Sequence, residues 1–360
     1  MKEKWKIVGI EFSHMHMGDL LRCVHNHPRA EIAGTCDPDP SRMQEAREIF
    51  GHGEDKLFTD HRACLDATKP DLVILCPPTA GHADWVEKVA PSGAHVFVEK
   101  PFAGSLEDAD RMIAAMEKTG RELIINWPLR WVASHVTAHR LISEGVIGDL
   151  IEVHYYDGNR GPLYHGADKI EKEPTAAEKK AAWWYSKDAG GGSMRDYLGY
   201  GVTLGTWFNG GRRPDEITAM ATGAEGLEVD EHSITIARYG SHLSKFETRW
   251  GTFSDPWVNQ PQPKCGFVLR GSEGTISSYD DEPSIRVQTR ERPGGYEVPA
   301  DELPTEAADG IAYTISRIEA GLPIEGPLSP AVARIGQEMV DAAIRSVETG
   351  RTVKLEGGTA

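Results

Sequence analysis

No stretch of this chain stays apolar for the ~20 positions that a membrane-spanning helix requires, so no membrane partner is expected. A basic stripe is missing as well. The chain has 39 lysines and arginines against 55 aspartates and glutamates, a formal charge of −16, and nucleic acid or an anionic bilayer needs a basic footprint. Cysteine is scarce, five in 360 residues without paired spacing, which argues for reduced thiols in a cytoplasm rather than a disulfide framework. Met1-Lys2-Glu3-Lys4-Trp5 leads into a strand without an apolar leader core or cleavage site, so a cytoplasmic location is expected. What is there, 39% apolar and 26% charged residues, is ordinary globular composition without repeats or low-complexity tracts, long enough for two domains.

The first third alternates short apolar runs with amphipathic stretches. Strands are predicted at Lys6–Ile10, Glu31–Cys36, Leu72–Cys76, His95–Val98 and Leu123–Ile125, with helices near Met15–His25, Ser41–Phe50, Ala80–Ala90 and Leu106–Lys118. That alternation predicts a doubly wound parallel sheet over residues 1–125. Beyond Trp127 the pattern changes to a helix ending near Glu144, then β-type runs at Leu150–Tyr156, Glu216–Thr222, Ser233–Tyr239, Ser244–Gly251, Gly266–Arg270, Gly274–Tyr279 and Ser284–Thr289. Their apolar/polar alternation predicts a second α+β domain, 126–360, on an open, mainly antiparallel sheet, closed by a helix over Pro330–Thr349. Gly158–Ala189 is a polar, aromatic-studded excursion of the kind that carries function.

Glu99-Lys100-Pro101 ends a predicted parallel strand, where open α/β sheets bind ligands. An ammonium there holds an anionic group or a substrate hydroxyl. The first strand–turn–helix has Gly9 where a dinucleotide fingerprint begins. It lacks the next two glycines, with Glu11 and His14 in their positions. A carboxylate about 5 Å from a pyrophosphate charge costs roughly 3 kcal/mol per pair at an effective dielectric near 20. Glu11 therefore points away, pairs with His14 or His16, or the dinucleotide is held unusually. Ser13 is a candidate N-cap, leaving the helix N-terminus to receive a phosphate. Asp37, closing the second strand, has the spacing of the acid that bonds the adenosine ribose, or is a turn aspartate before Pro38. A carboxylate there favours NAD over NADP, while Arg42 keeps NADP open.

Gly190-Gly191-Gly192 precedes a predicted helix on which Asp196 and Tyr200, four apart, share a face. With Lys100 they form a proton-handling set for an alcohol, since a neighbouring ammonium favours phenolate. The alternatives are a buried tyrosine with a satisfied hydroxyl and a capping aspartate. The histidines, including the His14-x-His16 pair, have no cysteine or carboxylate set at ligand spacing. They read as scattered surface residues, and no metal is expected. Trp127, Trp131, Trp183 and Trp184 flank the domain junction and the excursion, as sugar-stacking platforms or as core.

The chain resembles the glucose–fructose oxidoreductase/inositol dehydrogenase (Gfo/Idh/MocA) family along nearly its whole length. The resemblance is carried by Val98-Glu99-Lys100-Pro101, by Pro78-Thr79 with His82, and by Leu141-Ile142-Ser143-Glu144-Gly145-Val146-Ile147-Gly148-Asp149. The triple glycine through Tyr200, Gly271-Ser272-Glu273-Gly274 and the terminal Ser346–Gly350 segment continue it. Tyr200 stands where most members have histidine, as in the glucose–fructose oxidoreductase branch, and Leu198 replaces a usual glycine.

The resemblance implies a Rossmann domain, an open C-terminal sheet that assembles a homodimer or homotetramer, and hydride transfer at a secondary alcohol of a sugar or glycoside. Lys100, Asp196 and Tyr200 are the catalytic set it implies. The cofactor set is Gly9, Phe12, Ser13, His14, Asp37, Pro78, Thr79, His82, Glu99 and Lys100. The substrate set adds Trp127, Arg130, Arg160, His165, Trp183, Trp184 and Arg195, with the loop cations favouring an anionic sugar. A redox-neutral NAD-dependent glycoside hydrolase is the same-site alternative. A catalytically silent sugar- or nucleotide-binding protein is the alternative of another class.

Overall fold

The computed structural model describes residues 4–166, 169–279 and 282–355. The chain begins β1 (Trp5–Phe12), α1 (His16–Asn26), β2 (Ala30–Cys36), α2 (Gln44–Phe50), β3 (Leu57–Phe58), α3 (His61–Thr68), β4 (Leu72–Cys76), α4 (His82–Val89), β5 (His95–Glu99), α5 (Leu106–Glu117) and β6 (Leu123–Asn126). It continues α6 (Ala133–Ser143), β7 (Leu150–Asn159), α7 (Ala176–Ala181), α8 (Ser193–Phe208), β8 (Glu216–Thr222), β9 (His232–Tyr239) and β10 (His242–Trp250). It ends β11 (Gly266–Gly271), β12 (Gly274–Tyr279), β13 (Ser284–Thr289), β14 (Tyr296–Pro299), α9 (Gly310–Glu319), α10 (Pro330–Thr349) and β15 (Val353–Lys354).

These elements form two compact units. The first takes in Met1–Pro128 together with Pro304–Pro330. Its six-stranded sheet has the order β3-β2-β1-β4-β5-β6, and every pairing is parallel. β4 and β5 are buried almost end to end because helices cover both faces, the reason their sequences are continuous Val/Ile/Leu/Phe runs. The order reverses between β1 and β4, opening the crevice at the strands' carboxyl ends where such sheets take ligands. The segment from the far end of the chain joins this unit through α9, which packs on α1. Trp5 donates to Glu319 at 2.8 Å.

The second unit, mainly Leu129–His165, Lys169–Leu303 and Ala331–Ala360, holds a nine-stranded sheet ordered β14-β13-β12-β11-β7-β10-β9-β8-β15. Among the described residues every pairing in it is antiparallel except β7 with β10. Helix α8 lies on one face, against β7, β9 and β10. Gly201 permits that approach, since a Cβ there comes 2.5 Å from the Tyr155 ring. No helix among the described residues is long and apolar enough to cross a membrane.

Candidate functional site

At the β1–α1 turn, glycine is required once. A Cβ on Gly9 meets the Met17 sulfur at 2.8 Å, so its absence lets α1 close on β1. Glu11 occupies a one-residue irregularity in the β1–β4 pairing, between Ile10 and Phe12. Its φ of 66° is the left-handed conformation that the missing glycine adopts freely. Its carboxylate pairs with neither histidine. It accepts from the Ser13 hydroxyl at 3.2 Å, and burial first, then the neighbouring Asp37, raises its pKa. Ser13 is not the N-cap expected of it, because the cap position falls two residues later, at Met15, which has no capping side-chain hydrogen bond. The Ser13 hydroxyl instead accepts from Arg42 at 2.8 Å.

Asp37 is 1% exposed. Oδ1 accepts the Asp39 N–H at 2.8 Å as a turn aspartate does. Oδ2 accepts the Phe12 N–H at 2.7 Å, which fixes the acid beside the β1–α1 turn, and Arg42 lies 3.9 Å from it.

The end of β5 is a buried polar cluster. Glu99 is fully buried and Lys100 is 4% exposed; the Lys100–Pro101 peptide is cis. Glu99 Oε1 meets His16 Nδ1 at 2.7 Å, and Oε2 accepts from Asn126 at 2.6 Å. Burial pushes the Glu99 carboxyl up, but His16, Lys100 and these hydrogen bonds outweigh it, so its pKa lies below the usual range. The surface reading of the histidines fails here, since His14 is 3% and His82 1% exposed. The carboxylate that the spacing did not offer comes from β5. His14, His16 and Glu99 bring their ligand-type atoms within 4.8 Å of one another. His82 braces the site between the Phe102 and Pro77 carbonyls at 3.1 and 3.3 Å, and burial holds its pKa down. Pro78 leads into the short turn holding Thr79, whose buried hydroxyl has no hydrogen-bond partner among the described residues.

These residues fit a dinucleotide. An inward-held acid ends β2, Gly9 allows the close strand–helix turn, and an orphaned hydroxyl lies in the loop after β4. Asp37 would hold the adenosine ribose, and the Thr79 hydroxyl would gain a partner.

In the second unit the triple glycine serves contact. A Cβ on Gly191 runs into the Trp184 carbonyl at 2.2 Å. Helix α8 then begins at Ser193, capped by Asp230 rather than by its own sequence. The Asp230 backbone carbonyl accepts the Ser193 N–H at 3.0 Å, and its carboxylate accepts the Met194 N–H at 2.8 Å. Burial pushes Asp230 to about 6. Asp196, 5% exposed, and Tyr200 lie one turn apart on α8. The hydroxyl of Tyr197, next in sequence to Asp196, accepts from Asn159 at the end of β7, at 2.6 Å. Arg195 lines a separate pocket of about 150 Å³ with Lys187, Glu228 and Asp230.

The excursion is cross-braced by its own charges. Arg160 pairs with Glu171 at 3.7 Å and with Glu173, its guanidinium 4.7 Å from the Tyr164 ring centre. Lys179 donates to the Tyr164 hydroxyl at 2.8 Å. Trp183 and Trp184 stack at 4.6 Å, with Trp184 buried. Of the other expected substrate residues, Trp127 is a core residue of the first unit, 2% exposed, and the Arg130 guanidinium lies 5.8 Å from the Trp207 ring centre. His165 faces Asp255 at 3.6 Å. Sequence reasoning missed His16 and Asn126, which hold Glu99, and Asp230 and Asp255, both remote in sequence from what they hold. The His-x-His spacing was the one signal available.

A parallel sheet that reverses order beside an acid-terminated β2 defines a dinucleotide-binding domain. Residues 4–127 match the model of the Gfo/Idh/MocA oxidoreductase family with an NAD-binding Rossmann fold, and residues 135–277 match its C-terminal domain. The chain belongs to the Gfo/Idh/MocA family. It is 27% identical to an inositol 2-dehydrogenase of Salmonella typhimurium over 99% of this chain and 97% of that one. A D-apiose dehydrogenase of Paraburkholderia graminis is 34% identical over 33% of this chain and 31% of its own length. Glycosyl hydrolase family 109 protein 1 of Akkermansia muciniphila is 27% identical over 45% of this chain and 35% of its own length. The fold is shared with an oxidoreductase of Agrobacterium radiobacter solved with NAD+, L-tartaric acid and magnesium. That likeness has a TM-score of 0.78, 18% identity and 98% coverage of both chains.

Proposed function

We propose that this protein is an NAD-dependent dehydrogenase acting on a secondary alcohol of a sugar, polyol or glycoside. The observation that carries the reading is the Glu99–Lys100 corner. A buried lysine follows directly on a carboxylate fixed from two sides, at the carboxyl end of a Rossmann strand. NAD, when bound, accepts or returns the hydride. Lys100 holds the alcohol oxygen, Tyr200 exchanges its proton, and Asp196 orients a neighbouring hydroxyl. NAD is favoured over NADP because two carboxylates, Asp37 and Glu11, gather where a 2′-phosphate would come, against a single Arg42.

The family 109 relative supports a second reading, redox-neutral cleavage of a glycoside. Both are tested by incubating the protein and NAD with inositols, free aldoses, their acid forms and 4-nitrophenyl glycosides, following A340 and aryl release together. NADH formation from a free alcohol supports the dehydrogenase, and aryl release without net NADH supports the hydrolase. Neither signal from any compound overturns both.

A further inference from the structure

Oxidation of an alcohol releases a proton as well as a hydride. A phenol with an ordinary pKa near 10 is already protonated at neutral pH, so it can take such a proton only by passing its own on to another group. We infer that His165, held by Asp255, is the group in the second unit that takes this proton, an inference that rests on the dehydrogenase reading above.

Asp255 is fully buried. Its Oδ1 accepts the Arg160 N–H at 2.9 Å, while Oδ2 is buried with no hydrogen-bond partner. His165 Nδ1 is in the same condition, and the two atoms face each other at 3.6 Å. An unsatisfied buried polar atom is costly, so this pair has reason to close by the roughly 0.6 Å that separates it from a hydrogen bond. Closure puts the proton on Nδ1 and leaves Nε2 as a lone pair, the arrangement in which a carboxylate orients an imidazole base. With Nδ1 turned inward, the 13% of the His165 side chain that stays exposed lies elsewhere on that side chain.

The surroundings hold the ring in one orientation. Trp257 meets the imidazole edge-on at 4.7 Å and donates its indole N–H to the Lys169 carbonyl at 3.1 Å. The backbones of His165 and Glu171 form a bridge, and Glu171 accepts the Asp255 N–H at 2.9 Å. The charged and titratable groups around the ring are thus Asp255, Glu171, Arg160 with its partner Glu173, Tyr164 and Lys169.

The end of β7 touches both the pair and α8. Asn159, which donates to Tyr197, immediately precedes Arg160, which donates to Asp255. β7 and β10 run parallel, so the loops bearing His165 and Asp255 leave the sheet at the same end.

The step balances. The carbon–hydrogen bond breaks with its electron pair carried off as hydride, the alcohol's proton passes to the Tyr200 oxygen as the Tyr200 hydroxyl gives its own on towards Nε2, and a carbonyl forms. The imidazolium is neutralised by Asp255. His165 is the catalytic residue of this pair and Asp255 a positioning residue.

The test uses the holoprotein. In long-range 1H–15N spectra of protein labelled with 15N-histidine, the His165 signals, assigned by their loss in His165→Asn, should show the proton on Nδ1. Asp255→Asn should abolish that fixed tautomer. With the fastest alcohol of the panel above, His165→Asn should lower kcat at least about a hundredfold with KM within twofold. Asp255→Asn should lower kcat at least about tenfold, and added imidazole should restore turnover to His165→Gly. A bare Nδ1, or a His165→Asn variant whose turnover is unimpaired in an active background, overturns the role of His165 alone. A wild-type protein that turns over no alcohol overturns the dehydrogenase reading and the role of His165 with it.

Discussion

Single side chains decide how this molecule accommodates a cofactor. Glu11 replaces a glycine, keeps the glycine's backbone conformation, and feels the charge of Asp37 on its carboxyl. Since burial and then Asp37 raise its pKa, the fold favours the neutral carboxyl more than water does. Glu11→Gln should therefore bind NAD more tightly than wild type at pH 7. The gap should narrow as pH falls and Glu11 takes up its proton, which calorimetric titration at pH 5 and pH 7 will read. Asp37→Ala should weaken NAD and reduce the preference over NADP in the same assay, because it removes one of two acids near the 2′ position. Tyr200→Phe deletes only a hydroxyl. We expect kcat to fall about a hundredfold or more with NAD affinity and Tm unchanged, and near-normal turnover would make Tyr200 a packing residue.

Among the elements, α8 carries Asp196 and Tyr200, and its start is set from outside. Asp230 caps it while ionised only above about pH 6. The carboxyl's unfolded value is about 3.8, so its folded pKa is raised. The stability linked to its protonation is full below pH 4 and is lost as pH climbs through 6. Asp230→Asn should flatten this stretch of the Tm–pH curve between pH 4 and 7. Gly201→Ala should cost about 1–3 kcal/mol in denaturant melts, since the added methyl meets the Tyr155 ring and a packed core absorbs such overpacking poorly.

The legible elements were those whose pattern matched their period. β4, β8, β12, β13 and α10 lie where the apolar spacing predicted them. β3, two residues long, is too short for any period to mark, and α3 and α9 announce themselves mainly by the caps Asp60 and Asp309. That Asp196 and Tyr200 share a face of one helix was legible because four residues make a helical turn. Asp230 and Asp255 were not, because no local spacing ties them to α8 or to His165.

At the scale of the whole molecule, the second unit's sheet departs from the expected inward-apolar rule. On β9, Ser233, Thr235 and Ala237 face α8, and Ile234 and Ile236 are 37% and 39% exposed. The inner face is crowded by α8 and linked by hydroxyls, such as Ser233 with Thr248 at 2.9 Å. The outer face adds exposed Met220, Leu243 and Val268 among the ion pairs Arg238–Glu216, Lys245–Glu247 and Arg270–Glu152, a mixed surface of the kind that meets a partner. We propose that it joins copies of this chain. Light scattering should return a dimer or tetramer, Ile236→Lys should shift it toward monomer, and a monomeric wild type would refute the assignment. The single parallel pairing has its own consequence during synthesis. Residues 160–241 separate β7 from β10, so at ~5–20 residues per second β7 waits on the order of ten seconds for its central neighbour. Through that interval a growing chain holds an open strand edge at the middle of its future sheet, and a chaperone that shields extended segments meets it there first.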